Sequence, residues 1–377
     1  MITLNWLPTL EKSALESLIQ RMSGRSFHLL AYVAERDKEF VQVLQTTCNE
    51  KSIVLAGAVF PELLADGQLG AKGALIISIT DSPAPLLLAD VATPAAVATT
   101  AKRLTDYVED SLGADQEAAL FCIFDALVPN IATHLDAWYR VLADRVSYFG
   151  VNAGSETFQP MPCLFDNHQQ VGNGVLIQLL PNHPGACLNH DYSMLTTHFT
   201  ATSAEGNRIV QIDWKPPLEV YRDLMRTGYG VEISKDNFYQ YAVHYPFGIV
   251  RADGEVLVRI PVALAEDGSI YCVGEIPPNS MLTVLDAGAS FGLTPGRMAI
   301  DLKAQGTPVV DEDLLFFYCA GRRMHLGDRV RQELAAIQRA TDARHIYGAL
   351  SLGEIGGAHS GGYPLFHNAT LVAVPCR

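Results

Sequence analysis

A mixed α/β to α+β fold, in two mixed-sheet domains with flanking helices, follows from three features of the sequence. Residues 1–150 alternate short apolar runs with amphipathic helical stretches. After Phe149 the apolar runs shorten and are divided by Gly-Asn and Pro-Pro turn chemistry. The last part, from Leu314, returns to a strand–helix–strand rhythm. Strands that alternate with helices put helices on the faces of a sheet, whereas clustered short strands joined by tight turns pair antiparallel.

The first helix is predicted at "PTLEKSALESLIQRM", where Leu10, Ala14, Leu15, Leu18, Ile19 and Met22 share one face and Thr9 is the N-cap. "FHLLAYVA" is a short buried strand, "RDKEFVQVLQTTC" a helix, and "SIVLAGAVF" and "GALIISIT" two more strands. "AALFCIFDAL", the helix "NIATHLDAWYRVLADRV" and the strand "SYFGVNAG" continue the alternation. Val171-Gly-Asn-Gly174 predicts a hairpin between "CLFDNHQQ" and "GVLIQLLP", and Glu205-Gly-Asn207 a second one. Pro216-Pro217 opens the helix "LEVYRDLMRTG" and places the domain boundary, giving 1–215 and 216–377. Beyond it stand the strands "EVLVRIPVAL", "SIYCVGEI" and "MLTVLDA". The end supplies strand "LLFFYCA", a helix from Asp328 to Ala340 with Val330, Leu334 and Ile337 inward, and strands "HIYGALS" and "ATLVAV". One internal echo joins the halves: "LAGAVFPELL" before "GALIISI" resembles "IYGALSLGEI" before "NATLVAV". It suggests two related halves, with chance similarity of two strand–turn–strand units as the other reading.

Composition narrows the function. With 377 residues, two domains are expected, and with about half the residues apolar a large core is available. A formal charge of −14 argues against a nucleic-acid partner and an anionic membrane surface. The seven cysteines stand singly without a C-x-x-C pair, as expected of reduced thiols in the cytoplasm. The N-terminus has no apolar signal core, and no run approaches the ~18 apolar residues of a membrane helix.

The richest stretch for chemistry is "YGALSLGEIGGAHSGGYPLFHNATLVAV", Tyr347 to Val374. Ala349-Leu-Ser351-Leu-Gly353 imitates a nucleophile elbow, but a glycine-rich segment replaces the helix, and no aspartate follows Ser351. No lysine follows Lys303, so the glycines are not a phosphate-binding P-loop. His359, His367 and Glu354 meet no metal spacing. A second histidine group, His183, His190 and His198 near Cys187, offers a metal or haem ligand or three ordinary loop and strand residues. Cys319, Glu354 and His367 form a conceivable nucleophile, acid and base, against which Cys319 closes an apolar strand as a small buried thiol would. What remains is a group of polar side chains beside small residues at the mouth of adjacent strands, which favours a small-molecule pocket over a reaction centre.

At these residues the chain resembles the FIST family, sensory domains named for F-box and intracellular signal transduction proteins. "LLFFYCAGRRMHLG" is similar to its strand ending in Cys-x-x-Arg, here Cys319 and Arg322. "GALSLGEI" is similar to its Gly-x-x-x-x-Gly-Glu turn, here Gly348, Gly353 and Glu354, and "FHNATLVAV" to its His-Asn-x-Thr strand, here His367, Asn368 and Thr370. In the N-terminal part Gly150, Ala153 and Gly154 fit the family's glycine-rich segment, with Val151 and Ser155 departing from it, and its Gly-Glu turn survives as "GAVFPEL". The resemblance implies a cytoplasmic sensor of a small molecule, such as an amino acid, and no enzyme. It would act on a separate partner such as a histidine kinase or a cyclic-di-GMP enzyme, because the chain carries no kinase, receiver or transmembrane output. The expected ligand site comprises Cys319, Arg322, Gly353, Glu354, His367, Asn368 and Thr370. Arg322 would take a ligand carboxylate and Glu354 an ammonium group, or the two would form an internal salt bridge. The family's haem branch senses nitric oxide; on that reading the axial ligand is His190, then His183 or His198.

Overall fold

The computed structural model describes residues 1–377 other than 23–25, 71, 114–115, 191, 195–196, 253, 287–291, 293, 358–361 and 377. His359 therefore lies outside the described residues. The mixed sheets and flanking helices expected from the sequence are present, and their strands follow one plan three times.

In each unit two strands run parallel: Phe27–Ala34 with Leu55–Phe60, Ala118–Asp125 with Ser147–Ala153, and Asp313–Cys319 with His345–Ser351. A return strand lies antiparallel against the first of each pair, at Ala74–Thr80, Val175–Pro181 and Leu371–Pro375. An edge strand closes that side, at Ile2–Leu7, Leu86–Leu88 and Cys187–Asn189. Between second and return strands a small hairpin arm crosses to another unit. The arm Leu63–Gly70 pairs with His345–Ser351, the arm Leu164–Val171 with Leu55–Phe60, and the arm Glu354–His367 with Ser147–Ala153. The three exchanges close a ring, so each six-stranded sheet contains strands of two units.

The echo noticed in the sequence is thus a structural repeat, and a third copy accompanies it. Its signature is one glycine per unit on the second strand. A Cβ on Gly57, Gly150 or Gly348 would lie 2.1, 2.2 or 1.8 Å from a carbonyl oxygen, that of Ala31, Cys122 or Phe316. Each such residue is the glycine's register partner on the parallel strand. Strand residues alternate between two environments. Outward, Leu120, Cys122 and Phe124 pack with Leu104, Leu135 and Trp138 of the helices Pro94–Ser111 and Ile131–Leu142. Inward, Tyr32, Phe121 and Phe317, one from each unit, meet with centroids 5.8 and 5.9 Å from Phe317.

The third unit is interrupted between its edge strand and the helix Thr294–Ala304 by a segment with its own sheets and core, including Phe199, Tyr221, Phe238, Phe247 and Leu282. Pro216 and Pro217 open its helix Pro217–Tyr229, and the hairpin at Gly206 forms as the sequence predicts. Three local expectations are corrected. The first helix starts at Lys12, with Glu11 and not Thr9 at its N-cap. Residues 171–174 do not join a hairpin: Leu164–Asp166 turns back on Gln170–Val171, while Val175–Pro181 pairs with Ala118–Asp125. Asn173, with φ of 48°, redirects the chain from one sheet to the next. "EVLVRIPVAL" splits into Val256–Arg259 and Pro261–Leu264, since Pro261 brings no N–H to a ladder. The helix Pro94–Ser111, unforeseen in the sequence, has clear start chemistry: Pro94 at its first position, and Thr93 Oγ1 accepting from the Ala96 amide.

Candidate functional site

The strand Asp313–Cys319 delivers Cys319 to its C-terminal end, and the helix Ala320–Leu326 begins at once. The parallel neighbour delivers Ser351, and the Gly353 turn leads into Glu354. Gly353 is required there: a Cβ would stand 2.7 Å from the Phe366 ring and 2.9 Å from Asn152 Nδ2. The result is a compact polar group inside the ring. Ser351 Oγ donates to Glu354 Oε1 at 2.5 Å, and the Thr370 amide donates to Oε2 at 3.3 Å. The Ala369 amide donates to Cys319 Sγ at 3.1 Å, and the Thr370 hydroxyl to the Asn368 carbonyl at 3.0 Å. Asn368 Nδ2 donates to the His367 carbonyl and Oδ1 accepts from the Ile260 amide, tying this strand to the inserted segment.

Burial sets the protonation states. Desolvation raises Glu354 from 4.5 to about 8, against the hydrogen bonds from Ser351, Cys319 and Thr370 and the charge of Arg322, so the carboxyl is protonated at neutral pH. Desolvation also pushes the Cys319 thiol well up, and the nearby Glu354 carboxyl adds to this. It drives His367 down to about 3, leaving a neutral imidazole whose Nε2 donates to the Gly356 carbonyl at 3.1 Å. Its Nδ1 meets no donor among the described residues. A nucleophilic cysteine needs a thiolate, and here the thiol is held neutral beside a neutral acid. Cys319 and Glu354 share a buried hydrogen-bond network with Ser351 and the amides of Ala369 and Thr370, and His367 bonds separately to Gly356.

The network yields a pH prediction. A folded-state pKa above the unfolded one stabilises fully below the unfolded pKa, and this contribution is lost as pH rises toward the folded pKa. Wild type should lose stability between pH 4.5 and 8 through Glu354. In Glu354→Gln the loss from this group disappears, so urea unfolding from pH 5 to 8 should shift in the variant's favour with a slope of up to about 1.4 kcal/mol per pH unit. Parallel pH profiles would refute the assignment.

Arg322 is placed elsewhere. It is fully buried, with Nε and Nη2 donating to Glu333 at 3.0 and 2.5 Å and Nη2 also to Thr294 Oγ1 at 3.1 Å, while the Tyr318 hydroxyl donates to the same carboxylate at 2.5 Å. The Arg322–Glu354 salt bridge considered from the sequence is corrected: Arg322 forms its buried ion pair with Glu333. The neighbouring Arg323 points to another surface. It joins Glu62 of the first unit at 3.0 Å and Glu156 of the second at 2.5 Å, so all three units meet at this guanidinium.

Arg323 and Glu156 line a cleft of about 440 Å³ between the strand ends and the inserted segment. Cys319 and Asn368 also line it, and Phe158 and Val262 contribute apolar wall. A second cleft of about 400 Å³ beside Ala126, at the corresponding strand end of the second unit, shares Phe158, Val262 and Val273 with the first. Open sheets with parallel strands bind ligands at these carboxyl ends. Of the residues expected at a ligand site, Cys319 and Asn368 line the cleft; Glu354 and Thr370 support them from behind; Gly353 and His367 lie on the adjoining turn and arm; and Arg322 belongs to the helix anchor. Arg323, Glu156 and Glu62 were not among the candidates read from the sequence, although Arg323 adjoins the Cys-x-x-Arg motif and Glu62 stands in the internal echo.

The three histidines considered as haem ligands stand in separate surroundings. His183 has both ring nitrogens engaged, Nε2 with the Pro375 carbonyl at 2.8 Å and Nδ1 with the Gly185 amide at 3.1 Å, so neither lone pair is presented to iron. His190 Nε2 lies 3.3 Å from the Val256 carbonyl, and His198 is exposed. None of the three lines the two clefts. Among the described residues no group of three or more His, Cys, Asp or Glu is arranged to hold a metal ion.

The strand ends of the repeated sheets and the inserted segment thus enclose two neighbouring clefts. The chain belongs to the FIST family: the FIST N domain matches residues 29–215 and the FIST C domain residues 217–357. These are small-ligand sensory domains of signalling proteins. Among curated proteins, none matches this chain. No helix of the described residues is long and apolar enough to cross a membrane.

Proposed function

We propose that this protein senses an α-amino-acid-like molecule bound in the cleft beside Cys319 and Asn368, and that it signals in the cytoplasm to a separate histidine kinase or cyclic-di-GMP enzyme. The observation that carries the reading is a pair of opposite charges, Arg323 and Glu156, at the wall of a largely apolar cleft. A planar guanidinium takes a carboxylate in a forked geometry, and Glu156 takes an ammonium group. Phe158 and Val262 would pack on the ligand's side chain. Binding exchanges the Arg323–Glu156 contact for two contacts to the ligand, and that contact joins two units, so occupancy reaches the packing between units. The buried Cys319–Ser351–Glu354 network holds the floor of the cleft in place.

The test is thermal unfolding of the wild type against the common amino acids, each paired with its amide and its decarboxylated amine. At least one amino acid should raise the midpoint by a few degrees, while its amide and amine do not. Arg323→Gln and Glu156→Gln should each abolish the shift. A shift of equal size in both variants, or no shift with any amino acid, would overturn the proposal.

A further inference from the structure

We infer that a third cleft, of about 450 Å³, which shares Ala132, Glu275 and Phe366 with the second, binds a small organic carboxylate on Arg259. Arg259 ends the strand Val256–Arg259 and is 2% exposed. Its Nε donates to the Glu275 carbonyl at 2.9 Å, and Nη1 donates to the carbonyls of Val258 and Phe366 at 3.0 and 2.9 Å. Among the described residues Nη2 makes no hydrogen bond and no carboxylate reaches ion-pair distance of this guanidinium; the Glu275 carboxylate acts on it only as a nearby charge. Buried charges are ordinarily paired, because an isolated one forfeits several kcal/mol of hydration.

The carboxylates in the same cleft are already occupied. Glu275 accepts from the Thr133 hydroxyl at 2.6 Å and the Thr133 amide at 3.1 Å, at the start of the helix Ile131–Leu142. Asp136 accepts from the Tyr363 hydroxyl at 2.7 Å and pairs with Arg140 at 2.5 Å. Arg259 is therefore a buried cation of this cleft that still has donors to give, the two N–H groups of Nη2. Desolvation lowers it only to about 10, so it stays charged at neutral pH.

The surroundings narrow the ligand's chemistry. The formal charges on the wall, Arg251 and Arg259 against Asp136 and Glu275, cancel. With a wall neutral overall, a monoanion is opposed less by the two carboxylates than a phosphate dianion would be. Ile249, Leu257, Ile276 and Leu365 supply apolar wall for a hydrocarbon body, and Arg259 lies over the Phe366 ring at 5.7 Å. An aromatic or branched aliphatic monocarboxylate satisfies both halves of the cleft.

Benzoate is the probe and benzamide its neutral isostere, followed by calorimetry and by the ¹⁵N resonance of Arg259 Nε in the full chain. Benzoate should bind one to one and shift that resonance, with benzamide and inorganic phosphate each about tenfold weaker or more. Arg259→Lys should weaken benzoate by a similar factor. Arg323→Gln should leave it unchanged, which separates this site from the amino-acid cleft. If Arg259→Lys does not fold, the wild-type resonance decides. Equal binding of benzamide, no binding of benzoate, or binding that leaves Arg259 Nε unmoved would overturn the inference.

Discussion

Arg322→Ala is expected to cost about 3–5 kcal/mol of stability, because it strands a buried carboxylate. Glu333 is 8% exposed and shares its charge with Arg322 through two donors, while Tyr318 and Thr294 fill out the network. That network joins the helices Ala320–Leu326, Val330–Thr341 and Thr294–Ala304 to the end of the strand Asp313–Cys319. With Arg322 removed, Glu333 must protonate or draw water into the core. Urea unfolding would register the loss as a lower midpoint. Removing both charges, as Arg322→Met with Glu333→Leu, should recover most of the stability, since an apolar pair of similar volume escapes the desolvation cost. A loss below about 1 kcal/mol in Arg322→Ala would show that the pair carries little of the fold, and would return Arg322 to the candidates for ligand binding.

Gly348→Ala is expected to be at least as damaging, at about 3 kcal/mol or more. The added methyl carbon would sit 1.8 Å from the Phe316 carbonyl oxygen, a backbone atom that cannot rotate away. Relief requires parting the parallel strands of the third unit, which hold Cys319 and Ser351 side by side. The repeat adds a sharper expectation: Gly57→Ala and Gly150→Ala should fall in the same severe class, with Cβ positions 2.1 and 2.2 Å from the corresponding oxygens. Gly228→Ala is the control, since nothing lies within 4 Å of a Cβ there. Expression and melting of the four variants would settle the matter. Tolerance at two of the three strand glycines would contradict the structural equivalence of the units.

Local signals carried the sequence reading well. "FHLLAYVA" and "HIYGALS" match their strands end to end, and Val330, Leu334 and Ile337 face inward as their spacing requires. Partner choice was illegible. The Gly-Asn pair at 172–173 announces a change of direction, but nothing local says that the next strand will pair with Ala118–Asp125. The third repeat was hidden because the copies share little beyond one glycine and a pattern of apolar residues, and one copy is split by the inserted segment. Arg322 and Arg323 could not be told apart in the sequence. Consecutive helical residues point about 100° from one another, so one enters the core while its neighbour faces the cleft, and only packing decides which. Arg259 gave no signal, because an arginine in an apolar strand takes its meaning from the carbonyls gathered around it.

A sensory site in the cleft between the strand ends and the inserted segment must hold the ligand there. The most direct measurement is a crystal structure of the protein with the amino acid that most raises its melting point. The account predicts ligand density beside Cys319 and Asn368, with the carboxylate on Arg323 and the amino group on Glu156. A ligand bound outside this cleft, with the Arg323–Glu156 contact intact, would contradict it.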